Sequence, residues 1–422
     1  MVASTLETDT MANPAPAEER DWQGLEETVS DEEEARVIFC ALDSFLQYGR
    51  VAHFNCTHLR RQSFYALPEA HWKMLAAPPF NYLETLDKVD AAIDSNAELA
   101  RGIVKHGLRS LAVKETSPEG DFPSMPEEWV GVAKYGDIDK SRSTIRQFYR
   151  DWSAEGAEER EACYGPVKRA LAAERSRHPE IQHLKVLVPG AGLGRLVLDL
   201  CLEGFETEGN EISYHQLLAS SYILNNCRGA GQHTIFPWVH TFSNHLTRDR
   251  HLTSYKIPDI HPATVLANTE GVGAMSMCAS DFLCLYGDDD HTAQYDAVAS
   301  VFFLDTAPNL IRYLATIFHC LKPGGILVNI GPLLWHFEDR APGNHGHDDD
   351  GDGEHDPNNS TGIADPGNFE LSDDEVRALV EKVGFKVEAW ETNIRAPYIQ
   401  DPKSMLQTVY HASSWVARKP AV

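Results

Sequence analysis

Three glycines at alternate positions, followed by an acidic residue, form the motif of this sequence with the clearest chemical meaning. The glycines are Gly190, Gly192 and Gly194, and the acid is Glu211. Glycine lets the backbone turn sharply and approach a ligand closely, because it has no side chain to obstruct either. A carboxylate at this distance is placed to accept hydrogen bonds from ribose hydroxyl groups. The motif therefore predicts a site for a cofactor that contains a nucleoside.

The spacing of these glycines narrows the choice of cofactor. A dinucleotide-binding loop has the pattern G-x-G-x-x-G, and Arg195 stands here where its third glycine would be. The observed G-x-G-x-G pattern suits a cofactor without a pyrophosphate, and S-adenosylmethionine is the obvious one. Arg195 and the Lys-Pro-Gly-Gly turn at residues 322–325 argue against a nicotinamide-dependent dehydrogenase. The structural alternative is an ordinary glycine-rich turn. Glu211, at the distance from the glycines that a nucleoside site requires, argues against it.

Alternating strands and helices are predicted around this motif. The apolar run 185–189 predicts a buried strand, residues 196–202 a helix, and residues 205–211 the next strand. Further strands are predicted over residues 295–303, 325–330, 384–390 and 413–418. This alternation indicates a parallel sheet with helices on both faces, and hence an α/β fold.

The chain before the motif is predicted to be helical. Residues 1–34 are acidic and poor in apolar residues, which predicts a disordered tail. Apolar residues then recur at helical spacing, with a loop predicted over 112–140 and a helix over 143–152. We therefore expect a helical N-terminal domain over 35–165 and the α/β domain over 166–422.

Composition narrows the function classes. The 422 residues carry a formal net charge of −26, which argues against a nucleic-acid partner, because phosphates repel such a surface. The sequence has no apolar run long enough to predict a membrane span and no secretory signal. Its eight cysteines contain no CxxC pair, which predicts reduced thiols. We expect a cytoplasmic protein, with the nucleus as a second compartment.

A low-complexity insertion over residues 343–359 is rich in histidine and aspartate. Its three histidines and its carboxylates would suit a divalent metal ion. Nothing in the pattern fixes a coordination geometry, however, so a solvated mobile loop is the favoured interpretation. We therefore predict no metal site in this segment.

Several longer segments resemble one enzyme family. Residues 147–156, 188–195, 209–211, 302–307 and 329–337 resemble the carnosine N-methyltransferases, which are class I S-adenosylmethionine-dependent methyltransferases. The resemblance runs from about residue 35 to about residue 420. It implies a Rossmann-like class I methyltransferase sheet with an added helical N-terminal domain. That family methylates the imidazole of β-alanyl-histidine (carnosine), giving anserine.

The resemblance implies a set of cofactor contacts. Gln147 and Arg150 lie at i and i+3, hence on one helix face, and Arg150 would pair with the methionyl carboxylate. The backbone at Gly190 and Gly192 would lie against the methionine part, and Glu211 would accept both ribose hydroxyls. For the helix pair, a salt-bridged surface is the structural alternative.

Three further positions complete the expected cofactor site. Asp281 would accept a hydrogen bond from the adenine amino group, and Phe282 would lie on the adenine ring. Ser300, at the carboxyl end of a predicted strand, is a weaker candidate.

The resemblance also implies the substrate contacts. The Asp305 carboxylate would accept the far ring N–H of the imidazole, so that the near nitrogen becomes more nucleophilic. His336, Tyr398 and Tyr410 are the other expected substrate contacts. The structural alternatives are a helix N-cap for Asp305, a structural histidine for His336 and core aromatics for the two tyrosines.

Three functions remain open on the sequence. The leading one is methylation of carnosine by S-adenosylmethionine. The runner-up is methylation of histidine in proteins or other histidine-containing peptides, since both present the same ring. A non-catalytic scaffold that retains the cofactor fold is a third, although Glu211, Asp305 and His336 argue against it. A homodimer is one assembly that the sequence allows.

Overall fold

The computed structural model describes residues 32–111, 124–339 and 367–421. Its strands are β1 (Lys185–Pro189), β2 (Glu206–Glu211), β3 (His233–Ile235), β4 (Tyr255–Ile257), β5 (Met275–Ala279), β6 (Tyr295–Val301), β7 (Leu321–Gly331), β8 (Lys386–Pro397) and β9 (Val409–Arg418). Its α-helices are α1 (Glu32–His53), α2 (Leu59–Tyr65), α3 (Glu69–Ala76), α4 (Tyr82–Ser110), α5 (Tyr135–Trp152), α6 (Ala157–Arg177), α7 (Arg195–Leu202), α8 (Tyr214–Asn225), α9 (Arg248–His251), α10 (Pro262–Asn268), α11 (Phe282–Tyr286), α12 (Leu310–Cys320) and α13 (Asp373–Val383).

One seven-stranded sheet organises the described residues. Its strand order is β5-β2-β1-β6-β7-β9-β8, and the first five strands are mutually parallel. β9 runs antiparallel between β7 and β8, while β3 and β4 form a separate antiparallel pair. The strand order reverses between β1 and β6, which is where open α/β sheets form their ligand crevice. This topology confirms the predicted Rossmann-like α/β fold.

The central strand β1 is apolar from Val186 onward because helices cover both faces of the sheet. Val186, Leu187 and Val188 are all buried, as expected for a parallel strand without a solvent face. The chain then turns at Gly190 and enters α7 at Arg195. The predicted strand–loop–helix–strand unit is therefore confirmed.

The helical N-terminal part shares a core with the sheet domain. Leu42 of α1, Ile103 of α4, Phe148 of α5 and Leu218 of α8 belong to one buried apolar cluster. Because this cluster includes α8, which follows β2, burial of apolar surface anchors the helical part directly over one side of the sheet. α6 is continuous across the predicted domain boundary between residues 165 and 166.

The structure differs from the predicted elements in two places. The predicted loop over 112–140 is wrong at its end, because α5 already begins at Tyr135, where the Asp137 carboxylate accepts the Lys134 N–H at 3.0 Å. The second difference is that the strands β3, β4 and β5 were not predicted; β3 pairs with β4, and β5 pairs with β2. β3 and β4 have three residues each, and β5 is a partly exposed edge strand without β-branched residues.

Two predicted segments fall largely or wholly outside the described residues. These are the acidic tail, apart from its last residues in α1, and the insertion at 343–359. Among the described helices, none is both long enough and apolar enough to cross a membrane.

Candidate active site

A cavity of about 440 Å³ lies at the carboxyl ends of β1, β2 and β6, beneath the helical part. This volume is in the range of sites for small molecules and cofactors. Nine of the twelve predicted site residues line it: Gln147, Arg150, Gly190, Gly192, Glu211, Asp281, Phe282, His336 and Tyr398. The structure thus brings together residues from five separate parts of the chain.

The glycine loop, residues 190–194, forms a part of the cavity wall where two positions have no room or no suitable backbone conformation for a side chain. Gly190 has φ +67° and Gly192 has φ +58°, in the left-handed region that favours glycine. A Cβ atom at Gly190 would lie only 2.8 Å from Cδ2 of Phe303. Both the backbone conformation and the neighbouring ring therefore require glycine at this position.

Replacing Gly190 with alanine should weaken cofactor binding by about tenfold or more, because the strained φ and the clash with Phe303 both shift the loop. Gly271→Ala is the matched control: its φ is +72°, but a Cβ there meets nothing within 4 Å. Calorimetric titration with S-adenosylhomocysteine measures the effect. Equal affinity losses in the two variants would show that backbone strain, and not the cavity wall, is responsible.

Glu211 is buried at the end of β2 and holds the glycine loop. Its Oε2 accepts the N–H of Gly192 at 2.9 Å, and its Oε1 accepts those of Ile212 and Ser213 at 2.9 and 2.8 Å. Burial raises the pKa of Glu211, and these three hydrogen bonds oppose that rise. A carboxylate offers about four acceptor positions, so one position on Oε2 remains. Glu211 thus fixes the glycine loop and keeps acceptor capacity on the Oε2 atom, and its contact with both ribose hydroxyls stays a prediction.

Gln147 and Arg150 of α5 both face the cavity. Nε and Nη2 of Arg150 donate to the carboxylate of Asp151 at 2.7 and 3.0 Å, so one edge of the guanidinium is occupied. No described residue accepts a hydrogen bond from its Nη1. The Oε1 atom of Gln147 is buried and likewise has no partner among the described residues. A buried unpaired acceptor is costly, and its position beside a guanidinium suits the ammonium and carboxylate of a methionyl group.

Asp281 and Phe282 lie at the start of α11. Oδ1 of Asp281 accepts the N–H groups of Leu283 and Cys284 at 2.8 and 3.1 Å, so this carboxylate caps the helix as well as lining the cavity. The ring of Phe282 packs edge-on against Phe303, with 5.4 Å between the ring centroids. This arrangement offers an apolar wall for an adenine ring.

Ser300 lies outside the cavity wall. It is fully buried in β6, and its hydroxyl donates to Oδ1 of Asn329 on β7 at 2.9 Å. The following residues, Val301 to Phe303, line the cavity instead. Ser300 therefore supports the strand end without presenting its side chain to the cavity.

Asp305 lies just behind the cavity wall, next to a smaller cavity that shares Phe303 with it. Its Oδ2 accepts the Leu334 N–H at 3.0 Å, and its carbonyl oxygen accepts the His336 N–H at 3.2 Å. Burial raises the pKa of Asp305 to about 6. The N-cap of α12 is Asn309, so the alternative that Asp305 is this helix cap is wrong.

Tyr398 and Tyr410 meet at one end of the cavity. Both rings contact Phe302, with 5.7 Å between centroids in each pair, and they contact each other at 5.6 Å. Tyr398 lines the cavity, whereas Tyr410 stands behind it. Burial raises the pKa of Tyr410, and the charges of Tyr398 and Asp305 raise it further.

Known proteins of one family match this chain over most of its length. The family model "Carnosine N-methyltransferase" matches residues 127–421. The carnosine N-methyltransferase of Schizosaccharomyces pombe is 35% identical over 390 residues, which cover 92% of this chain and 97% of that protein. The mouse carnosine N-methyltransferase is 32% identical over 396 residues, covering 93% and 89% of the two chains. The chain belongs to the carnosine N-methyltransferase family.

Membership of this family confirms the predicted class of enzyme, an S-adenosylmethionine-dependent methyltransferase. The buried unpaired acceptor at Gln147 and the bare glycine loop fit that cofactor. A solved Burkholderia thailandensis methyltransferase with bound S-adenosylhomocysteine is similar at 16% identity and a TM-score of 0.32, covering 68% of this chain and 91% of that chain. The strand order of the sheet establishes the fold.

An ionic network that sequence reasoning missed holds the end of α5. Nη1 of Arg195 donates to the carbonyl of Asp151 at 3.0 Å and to Oδ1 of Asp259 at 2.6 Å. Arg160 donates to Oδ2 of the same Asp259 at 3.0 Å and to the carbonyl of Arg150 at 2.6 Å. The two arginines thus fix the backbone that carries Arg150. No sequence pattern marked Asp259, because it lies far from both arginines in the chain.

Proposed function

We propose that this protein transfers a methyl group from S-adenosylmethionine to an imidazole nitrogen of carnosine, giving anserine and S-adenosylhomocysteine. The observation that carries this proposal is the buried carboxylate of Asp305, held by the segment of His336 beside a cavity lined with cofactor residues. Carnosine is also what the family relatives are named for.

Bound S-adenosylmethionine would supply a methyl group on a sulfonium, which needs no further activation. The protein must then align a neutral imidazole with that methyl group. An imidazole whose far ring N–H donates to Asp305 is held in one tautomer, with its other nitrogen available as the nucleophile. The same carboxylate stabilises the positive charge that develops on the ring and can accept its proton afterwards.

His336 and Tyr398 are proposed to orient the substrate. Both side chains line the cavity, and His336 is joined to Asp305 through its backbone N–H. The rings of Phe302 and Tyr398 stack together and form an aromatic wall at that end. A substrate with an ammonium and a carboxylate can use the tyrosine hydroxyl and the imidazole as hydrogen-bonding groups.

We expect a steep loss of kcat/KM at acidic pH. Asp305 must be ionised, and because burial raises its pKa to about 6, activity falls as the pH drops through that value. The substrate imidazole must be neutral, and its pKa is about 6.5. Protonation of either group therefore stops the reaction. In a plot of log(kcat/KM) against pH, the acidic side of the wild-type profile should have a slope above one.

The control for this profile is the Asp305→Asn variant, which lacks the titrating carboxylate. Its remaining activity should fall with a slope of one, set by the imidazole alone. Measurements of kcat/KM between about pH 5 and pH 8 decide the matter. A wild-type slope of one, centred on the substrate's own pKa, would contradict the role of Asp305.

Product analysis tests the proposed substrate. The enzyme is incubated with S-adenosylmethionine and with carnosine, free histidine or a mixture of histidine-containing peptides, and methylated products are measured by mass spectrometry. We expect kcat/KM for carnosine to exceed the other values at least about tenfold, an energy difference that a few polar contacts supply. A preference for peptides would instead support a protein histidine methyltransferase.

The cellular location and assembly remain proposals. We propose a cytoplasmic enzyme, present also in the nucleus, on the basis of the scattered thiols and the acidic composition. A homodimer is proposed as well, and light scattering of the purified protein tests it.

A further inference from the structure

Glu159 has a buried carboxylate at the cavity that the proposed chemistry does not use. It lies in the first turn of α6, its residue is 5% exposed, and it lines the cavity. Its Oε2 accepts the N–H of Ile399 at 2.8 Å, and its Oε1 accepts that of Gln400 at 3.2 Å. The carboxylate thus grips the two residues that directly follow Tyr398.

The gripped backbone is strained. Ile399 has φ +41°, in the left-handed region that β-branched residues rarely adopt. Such a conformation persists only where surrounding contacts impose it. The two hydrogen bonds to Glu159 are charge-assisted and stronger than neutral ones, so they provide such a contact.

The connection is attached on both sides of this pair. Before it, the Tyr398 N–H donates to the Thr408 carbonyl at 3.1 Å and the Tyr398 ring packs against Phe302; further attachments follow it. Residues 398–408 join β8 to β9. Asp401 forms an ion pair with Arg250, and the N–H of Met405 donates to the carbonyl of Asn244 at 2.8 Å. These anchors hold the outer part of the connection, whereas Glu159 holds the part next to the cavity.

We infer that Glu159 is a positioning residue that sets Tyr398 against the substrate end of the cavity. Glu159 follows α5 closely in the chain, and α5 carries the cofactor residues Gln147 and Arg150. One pair of helices therefore places the cofactor contacts and, through Glu159, the substrate contact. The inference rests on the proposed function only in assigning the imidazole substrate to the Tyr398 end.

The Glu159→Gln variant tests this inference. Glutamine keeps the size of the side chain but turns an NH₂ group towards a backbone N–H, so one of the two hydrogen bonds is lost. We expect KM for carnosine to rise about tenfold, with kcat changed less than about threefold and cofactor affinity unchanged. Glu158→Gln, an exposed neighbour on the same turn, is the matched control and should behave as wild type.

A double-mutant cycle with Tyr398→Phe separates positioning from direct contact. If Glu159 acts through Tyr398, the KM of the double variant should be no higher than that of the worse single variant. Independent effects that multiply would show that Glu159 binds the substrate itself and would overturn the inference.

Hydrogen exchange gives a readout that does not depend on the substrate. In Glu159→Gln the amides of Ile399 and Gln400 should exchange at least about tenfold faster than in the wild type. Unchanged exchange would overturn the inference even if carnosine is the substrate. Faster exchange in a protein that does not methylate carnosine would leave the positioning role standing and refute the proposed function.

A second variant covers the case in which Glu159→Gln does not fold. Arg250→Gln releases the outer anchor at Asp401 but leaves both hydrogen bonds to Glu159 intact. Exchange should accelerate over residues 401–408, while the amides of Ile399 and Gln400 stay protected and KM changes less than about threefold. Loss of that protection in Arg250→Gln would contradict a hold exerted by Glu159.

Discussion

The Asp305→Asn variant should turn over carnosine at least about a hundredfold more slowly than the wild type, which is the scale of a lost acid–base partner. Asparagine keeps the shape of the side chain, and its oxygen can still accept the Leu334 N–H, so the fold should survive. The variant lacks the negative charge that orients the imidazole and stabilises its developing positive charge. Cofactor affinity should change little, because none of the proposed cofactor contacts involves Asp305.

Steady-state kinetics with carnosine measure this effect. Two further variants serve as comparisons. Asp289→Asn makes the same change in charge at an exposed position and should have wild-type turnover. His336→Ala should raise KM with a smaller effect on kcat, because its proposed role is positioning. Wild-type turnover in Asp305→Asn would reduce this residue to a support for the 334–336 segment.

Glu211→Ala should weaken cofactor binding by on the order of 2–4 kcal/mol, roughly thirtyfold to several hundredfold. The variant loses the acceptor position for a ribose hydroxyl. It also leaves the N–H groups of Gly192, Ile212 and Ser213 without their acceptor, so the glycine loop loses its fixed shape. Part of the loss is therefore expected to come from the loop and not from the ligand contact.

Calorimetric titration with S-adenosylhomocysteine measures this loss. Glu206→Ala, at the exposed start of the same strand, removes a carboxylate without touching the cavity and should bind normally. Glu211→Gln keeps an acceptor oxygen for the loop and should bind with intermediate affinity. Unchanged affinity in Glu211→Ala would refute the assignment of this acid to the cofactor.

Much of the fold could be predicted from local patterns. Burial requires apolar residues in β1, and the backbone conformation after it requires glycines. Both constraints are visible in the types of a few neighbouring residues. The short strands β3 and β4 have no such pattern in their sequence. Three residues are too few to show an alternating pattern, and their pairing depends on tertiary packing.

In the candidate site, too, some features could be predicted from local sequence and others could not. Gln147 and Arg150 could be placed on one helix face from their spacing, and both line the cavity. Ser300 sits at a strand end, as predicted, but its hydroxyl is bonded to the neighbouring strand. Strand position is a local property, whereas the direction and partner of a buried side chain depend on what packs beside it.

The parallel sheet, the cofactor-binding loop and the family could be predicted without the structure, because apolar periodicity, glycine spacing and long motifs are properties of neighbouring residues in the chain. The burial of Asp305 against the 334–336 segment and the ion pair of Arg195 with Asp259 became known only from the folded protein. The folded protein alone shows that Glu159 holds the backbone of Ile399, 240 positions away. Hydrogen bonds between such distant residues exist only once the apolar core has brought their elements together, and no local pattern encodes that geometry.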